Sequence, residues 1–166
     1  MGLSVDPVAF RTAMARFPGA VTIITTRSDQ GRRGITATAV CSVSADPPSL
    51  LVCVNRATGT CQGILDSGRF AVNLLPDPSG ALAMCFAGAG GVTGEDKFAQ
   101  GAWRGDAHGV PVLDDARVAF SCEVAESLTA GTHQVFIGKI VEICHGAEDG
   151  DALIYEQSRF HRLAPL

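Results

Sequence analysis

Two short stretches gather the polar groups that could do chemistry. The first is Gly34-Ile35-Thr36-Ala37-Thr38-Ala39, continued by Ser42-Val43-Ser44 and closed by Asp46-Pro47-Pro48. Alternate residues of a strand share one face. Main-chain N–H groups beside small side chains can be approached closely by a flat ring or a phosphate. The same residues also suit a plain edge strand, because Thr and Ser are good strand formers. The second stretch is Asn55-Arg56-Ala57-Thr58-Gly59-Thr60, between the run SLLVCVN and a helical pattern. A guanidinium, hydroxyls and the free amides of a helix start make a phosphate cradle. The plain alternative is an N-cap at Thr58 or Thr60 with Arg56 in solvent.

The common catalytic signatures are missing. The chain has no G-x-S-x-G, no H-E-x-x-H, no G-K-[ST], and no strand running through G-x-G-x-x-G into a helix. The carboxylate pairs Glu95-Asp96 and Asp114-Asp115 sit in turn-like contexts and read as solvated acids or caps. His108, His133, His145 and His161 are scattered. Cys41, Cys53, Cys61, Cys85, Cys122 and Cys144 form no C-x-x-C. They read as small buried residues in a reducing compartment, and no metal site is expected.

The elements that must position these groups read as follows. Residues 4–17 suit a helix, with Asp6 and Pro7 at its start and Phe10, Met14 and Phe17 at helical spacing. Residues 20–26 read as a strand, 28–34 as a polar turn, 35–44 and 49–55 as strands. A short helix over 58–67 is followed by a strand over 69–75 and a helix over 79–87. Residues 88–109 are Gly-rich and read as an excursion, with Trp103 as a core plug or lid anchor. Residues 117–127 and 133–145 alternate cleanly and form a hairpin about a turn at 128–132. Segments 151–155 and 158–163 end the chain. Six or seven strands in hairpins, with two or three short helices between them, predict a mainly β fold. The expected form is a closed antiparallel barrel with peripheral helices, in a single domain over residues 1–166.

Thirteen Lys+Arg against seventeen Asp+Glu leave a formal charge of −4, so no nucleic-acid footprint is present. No apolar run approaches the ~18–20 residues of a membrane span. The start, residues 1–10, lacks the apolar stretch of a signal peptide. The chain reads as a cytoplasmic protein.

In chain order these pieces resemble a known family: F-R-x-x-x-x-x-F-P-G-x-V-T-I-I-T-T from Phe10, G-I-T-A-T-A-x-x-S-V-S-x-D-P-P from Gly34, V-N-R-x-T-x-T from Val54, F-A-V-N-L-L from Phe70, D-K-F at Asp96 and G-T-H-x-x-F-I-G-K-I from Gly131. The sequence is similar to the flavin reductase-like family, the short-chain NAD(P)H:flavin oxidoreductases that serve two-component flavin-dependent monooxygenases. The resemblance spans about residues 4–163. It implies an FMN-binding split β-barrel, acting as a homodimer with flavin near the subunit interface.

It also implies roles. Thr36, Ala37 and Thr38 would line the isoalloxazine ring, and Ser44, Asp46 and Pro47 would form the loop beside it. Asn55, Arg56, Thr58 and Thr60 would hold the ribityl chain and phosphate. Lys97 and Phe98 would close over the flavin, or Phe98 would pack in the core. His133 matches the histidine of the family's G-D-H segment, where nicotinamide docks, with Thr132 in place of the acid. It would orient the nicotinamide, or it would be a strand-end histidine bonded to its turn. Tyr155 and Arg159 fall near the nicotinamide side, and Tyr155 also suits plain packing. The implied reaction takes hydride from NADH or NADPH to FMN or FAD. Reduced flavin would then diffuse to a separate monooxygenase. Three alternatives stay open: a split-barrel protein that binds flavin or haem without turnover, an oxidase of the pyridoxamine-phosphate type, and a purely structural dimer with the Thr/Ser stretch as an edge strand.

Overall fold

The computed structural model describes residues 4–146 and 148–166. The first three residues of the N-terminal stretch considered above lie outside the described residues. Helix α1 (Pro7–Met14) starts where Asp6 accepts a hydrogen bond from the Ala9 N–H at 2.9 Å, with Pro7 in the first turn. The strands β1 (Gly19–Ala20), β2 (Thr22–Ser28), β3 (Gly31–Ala37), β4 (Val40–Ala45) and β5 (Pro48–Asn55) follow. Helix α2 (Gly59–Ser67) is capped by Thr58, whose hydroxyl accepts from the Cys61 N–H at 3.2 Å. It ends on Gly68 in the left-handed region, whose N–H returns to the Ile64 carbonyl. Next come β6 (Arg69–Leu74), α3 (Gly80–Phe86), a 3₁₀ turn over Gly94–Ala99, β7 (Trp103–Gly105) and β8 (Pro111–Leu113). The long strands β9 (Val118–Ala130) and β10 (His133–His145), then β11 (Ile154–Glu156) and β12 (Arg159–His161), complete the order.

Seven strands form one antiparallel sheet in the order β3-β2-β6-β9-β10-β5-β4. The mainly β expectation holds, with short helices between hairpins. The two edge strands, β3 and β4, are consecutive in the chain and separated only by Thr38 and Ala39. Among the described residues no ladder joins these two edges. Two smaller sheets, β1-β11-β12 and β7-β8, lie apart from it.

Period-two alternation sorts the side chains into two cores. On β2, β6 and β9, Ile24, Phe70, Val72 and Cys122 enter an inner core with Val52, Val54, Phe136 and the α2 residues Cys61 and Ile64. Their neighbours Ile23, Ala71 and Ala119 enter an outer core with Phe86, Phe98, Val112, Leu113 and Leu153. Both faces of β2, β6 and β9 are therefore covered, while most of β4 and the ends of β9 and β10 stay exposed. The outer core is roofed by α3 and by the glycine-rich excursion. Trp103 packs there against Phe86 and Phe98, at 5.3 and 5.1 Å between ring centres. Gly138 gives the inner core its closest approach. A Cβ at that position would stand 2.5 Å from Phe70 Cζ and 2.8 Å from Cys122 Cβ.

The first helix is shorter than the expected 4–17, and the last two strands are shorter than the expected 151–155 and 158–163; three further differences shape the sheet. The expected strand over 35–44 is two strands, because the chain leaves one sheet edge at Thr38 and joins the opposite edge at Val40. The expected polar turn over 28–34 shrinks to Asp29 and Gln30. Gly31, at φ 91°, completes that turn and lets Arg32 and Arg33 enter β3. The expected turn over 128–132 shrinks to Gly131 and Thr132, so β9 and β10 stay paired to Ala130 and His133.

Candidate active site

Three grooves meet along the edge strand β3. An edge strand leaves alternate N–H and C=O groups without a strand partner on its open side. The first groove, about 440 Å³, runs between Arg33, Gly34 and Ile35 of β3, the start of α2 at Thr58, Gly59 and Thr60, and Lys97. The second, about 260 Å³, shares Ile35 with the first. It continues along Thr36–Ala39 to Cys53, Val54, Asn55 and His133. The third, about 250 Å³, lies on the other side of Thr36, Ala37 and Thr38, against α3, Tyr155 and Phe160.

The first groove gathers groups that can hold an anion. Arg33 is half-buried, and a Cβ added to Gly59 would stand 3.3 Å from its Cδ and Nε, so the guanidinium stem lies against the helix start. The opening N–H groups of a helix have no intrahelical partner and carry the positive end of its dipole. Thr58 satisfies only the N–H of Cys61. The Lys97 ammonium donates to the Gly34 carbonyl at 3.3 Å and the Phe86 carbonyl at 3.0 Å. An ammonium has three donors, so one remains for a ligand. Burial lowers the Lys97 pKa, with the nearby Cys85 opposing that shift. The turn carrying Lys97 is fixed to β3 by Glu95, which accepts from the Arg32 N–H at 2.8 Å and pairs with the Arg32 guanidinium. Burial acts to raise the Glu95 pKa, and the bonds from Arg32 outweigh it and hold it low.

The second groove is less charged. Asn55 and His133 face each other across the β5–β10 ladder. The Asn55 carboxamide oxygen accepts from the Ala57 N–H at 2.9 Å, which leaves its NH₂ free. His133 is exposed, and its Nδ1 lies 2.9 Å from the Thr132 hydroxyl. Burial, reinforced by Cys41, pushes the Cys53 thiol up, so the groove's thiol stays protonated. Among the described residues no cluster of metal-ligating side chains exists.

Several expected site residues converge here and others do not. Thr36, Ala37, Thr38, Asn55, Thr58, Thr60, Lys97 and His133 line the first two grooves. The Thr36 hydroxyl, however, is already given to the Ala83 carbonyl at 2.6 Å. Tyr155 lines the third groove beside Phe160. Arg159 lies in the β11–β12 hairpin with Glu156, Gln157 and His161, away from β3.

Arg56 turns from the anion groove and donates to the Gly131 carbonyl at 3.2 Å. Phe98 is 6% exposed and stacks edge-on against Phe86, so packing claims its ring. Ser44, Asp46 and Pro47 form the tight β4–β5 corner, with the Ser44 hydroxyl bridging the Asp46 N–H and C=O. That corner is at the opposite end of β5 from Asn55.

Arg33 is the residue the sequence reading passed over. Its signal was the two-residue period that it shares with Ile35 and Ala37.

Comparison with known proteins gives concordant findings. Residues 14–164 match the family described as flavin reductase like domain. The chain is 40% identical over 160 residues to the FMN reductase (NADH) RutF of Pseudomonas syringae pv. syringae (strain B728a), covering 96% of this chain and 88% of that one. It is 41% identical over 152 residues to the 4-hydroxyphenylacetate 3-monooxygenase reductase component of Salmonella typhimurium (strain LT2), covering 92% and 89%. Among solved structures it is similar to the flavin reductase PheA2, with a TM-score of 0.85, 33% identity, and coverage of 97% and 100%. A match across nine-tenths of the sequence, on a fold of the same shape, places this chain in the flavin reductase-like family.

Proposed function

We propose that this chain is an NAD(P)H-dependent flavin reductase that delivers reduced FMN or FAD to a separate flavin-dependent monooxygenase. Family membership and the names of its relatives support this reading. The observation that carries it is the continuity of an anion cradle with a groove walled by open strand edge. The donor set fits a flavin: two cations and a helix start for phosphate, then main chain and small side chains for a flat ring.

Each residue then has a task. Arg33, the remaining N–H of Lys97 and the amides of Gly59 and Thr60 hold the phosphate. Ile35, Ala37 and Thr38 offer main chain and small surface to the ring. Main-chain N–H groups of this open edge stabilise negative charge at the ring, as in an oxyanion hole. Bound flavin supplies the hydride acceptor, and transfer needs the donor carbon about 3–3.5 Å away. His133 and Asn55 position the nicotinamide. No general acid or base is assigned. Tyr155 flanks the far side of Thr36–Thr38. Phe98 is a packing residue, and Ser44, Asp46 and Pro47 are given no role within a single chain.

The wider reading is a closed split barrel in a single domain over residues 1–166. Its support is the inner core, which collects Ile35 and Ala37 from β3, Val40 from β4 and Val52 and Val54 from β5. A homodimer is supported by α1, which buries no residue and leaves Phe10 and Met14 exposed one turn apart. Val43, Val141 and Ile143 are further exposed apolar side chains, on β4 and β10. Diffusive transfer of reduced flavin and a cytoplasmic setting complete it. Six unpaired cysteines suit a reducing compartment. No described helix is long and apolar enough to cross a membrane.

Anaerobic oxidation of NADH and NADPH with riboflavin, FMN and FAD in turn tests the activity. Bleaching of flavin matched one-to-one by loss of reduced nicotinamide is expected. Retention of both chromophores with every pair would overturn the proposal.

A further inference from the structure

The imidazole of His133 has a single described partner, the Thr132 hydroxyl 2.9 Å from Nδ1. The hydroxyl in turn has no other described partner. The two-residue turn that carries it is held from β5. The Arg56 N–H donates to the Thr132 carbonyl at 3.0 Å, and the Arg56 guanidinium donates to the Gly131 carbonyl. Thr132 is therefore placed by main chain, and its hydroxyl meets the ring from a fixed position.

A hydroxyl and a carboxylate act differently at that position. A carboxylate only accepts, so it keeps the proton of a neutral imidazole on Nδ1 and leaves Nε2 as a bare lone pair. A hydroxyl can donate as well as accept, and when it donates to Nδ1 the proton of the neutral ring sits on Nε2. We propose that Thr132 is a positioning residue whose hydroxyl donates to Nδ1. Neutral His133 then presents an Nε2–H donor to the carboxamide carbonyl of the reduced nicotinamide. This rests on the flavin-reductase reading for the identity of the ligand. Asn55 strengthens it. Its carboxamide oxygen is taken by Ala57, so its NH₂ is the free end. With Nε2–H opposite, this end of the groove carries two donors, and a carbonyl oxygen with two lone pairs is the group that accepts both.

The test pairs a tautomer measurement with kinetics on the whole protein. Long-range ¹H–¹⁵N correlation of the histidine rings separates Nε2–H from Nδ1–H without any substrate. Neutral His133 is expected as Nε2–H in the wild-type protein and in Thr132→Ser, and as Nδ1–H in Thr132→Asp. The KM for NADH should rise about 3–10-fold in Thr132→Val and Thr132→Asp, the worth of one neutral hydrogen bond. Serine should restore it, and the kcat should move less than KM. In a His133→Ala background the Thr132 substitutions should have no further effect. FMN affinity should hold in all of them, which shows that they fold. An Nδ1–H ring in a wild-type protein that oxidises NADH normally overturns the role of Thr132 alone. An unchanged tautomer and KM in Thr132→Val does the same. An Nε2–H ring in a protein that oxidises no NADH with any flavin overturns this assignment together with the reading beneath it.

Discussion

Arg33 and Gly59 share one wall of the anion groove: a Cβ on Gly59 would meet the Arg33 Cδ and Nε at 3.3 Å. Strand β3 and the start of α2 thus bring a guanidinium and free helix amides to the same point. Neither stretch is an anion site by itself. Their meeting follows from α2 packing Cys61 and Ile64 into the inner core beneath β2 and β3.

That relationship separates two arginines. Arg33→Ala should weaken FMN binding by about tenfold or more, since a hydrogen bond to a charged group is worth about 1.5–3 kcal/mol. Riboflavin, which lacks the phosphate, should bind nearly as before. Arg56→Ala should cost FMN less than Arg33→Ala, because Arg56 turns out of the groove to the Gly131 carbonyl, whereas Arg33 lines it and gives only one N–H away, to the Arg32 carbonyl at 2.7 Å. Titration of flavin fluorescence checks all of these.

Lys97 gives the cradle a pH dependence. Burial lowers its pKa, so as pH rises its charge is lost earlier than that of an ordinary lysine. FMN affinity should therefore fall with rising pH in that window, while riboflavin affinity shows no matching loss. Folding stability moves the other way there. The unfolded chain still holds a proton that the folded chain has released, so this group's contribution to stability rises with pH. Lys97→Arg should abolish the early loss of FMN affinity, since arginine stays charged. Calorimetric titration across alkaline pH reads the effect.

Gly138→Ala tests the inner core. The added methyl would fall 2.5 Å from Phe70 Cζ and 2.8 Å from Cys122 Cβ. Overpacking of this kind costs about 1–3 kcal/mol. The melting temperature should fall by about 2–10 °C for a chain of this size. Thermal unfolding followed by circular dichroism measures it.

Thr58 holds the helix start in two ways. Its hydroxyl donates to the Asn55 carbonyl at 2.7 Å and accepts from the Cys61 N–H. Thr58→Ala should cost about 1 kcal/mol of stability and should weaken FMN more than riboflavin, because the amides that face the phosphate loosen. Thr58→Ser should retain both properties. Denaturant unfolding and flavin titration report the two effects separately.

Most of the fold is legible in the sequence because local rules agree with one another. Asp6-Pro7 and Thr58 mark helix starts, and the alternation in 117–127 and 133–145 marks the long hairpin. The break at Thr38-Ala39 is not legible, since a chain crossing from one edge of the sheet to the other keeps its β-forming composition. The lining of the candidate site is legible where it lies along one strand, as at Thr36–Thr38, or beside a helix start, as at Thr58–Thr60.

Other features depend on long-range packing. Arg33 joins the groove lining because β3 begins at Gly31. Arg56 carried the right chemistry, yet a carbonyl across the β5–β10 turn claims it. Phe98 sits next to Lys97 in sequence, but the aromatic cluster with Phe86 and Trp103 draws its ring inward.

The most direct test is a crystal structure of this chain with FMN bound. Phosphate oxygens are expected within hydrogen-bonding distance of the Arg33 guanidinium, Lys97 Nζ and the Gly59 or Thr60 N–H. The ring should then run along Ala37 and Thr38, with the face toward His133 open. Phosphate seated against Arg56, or a ring that fills the His133 side, would contradict it.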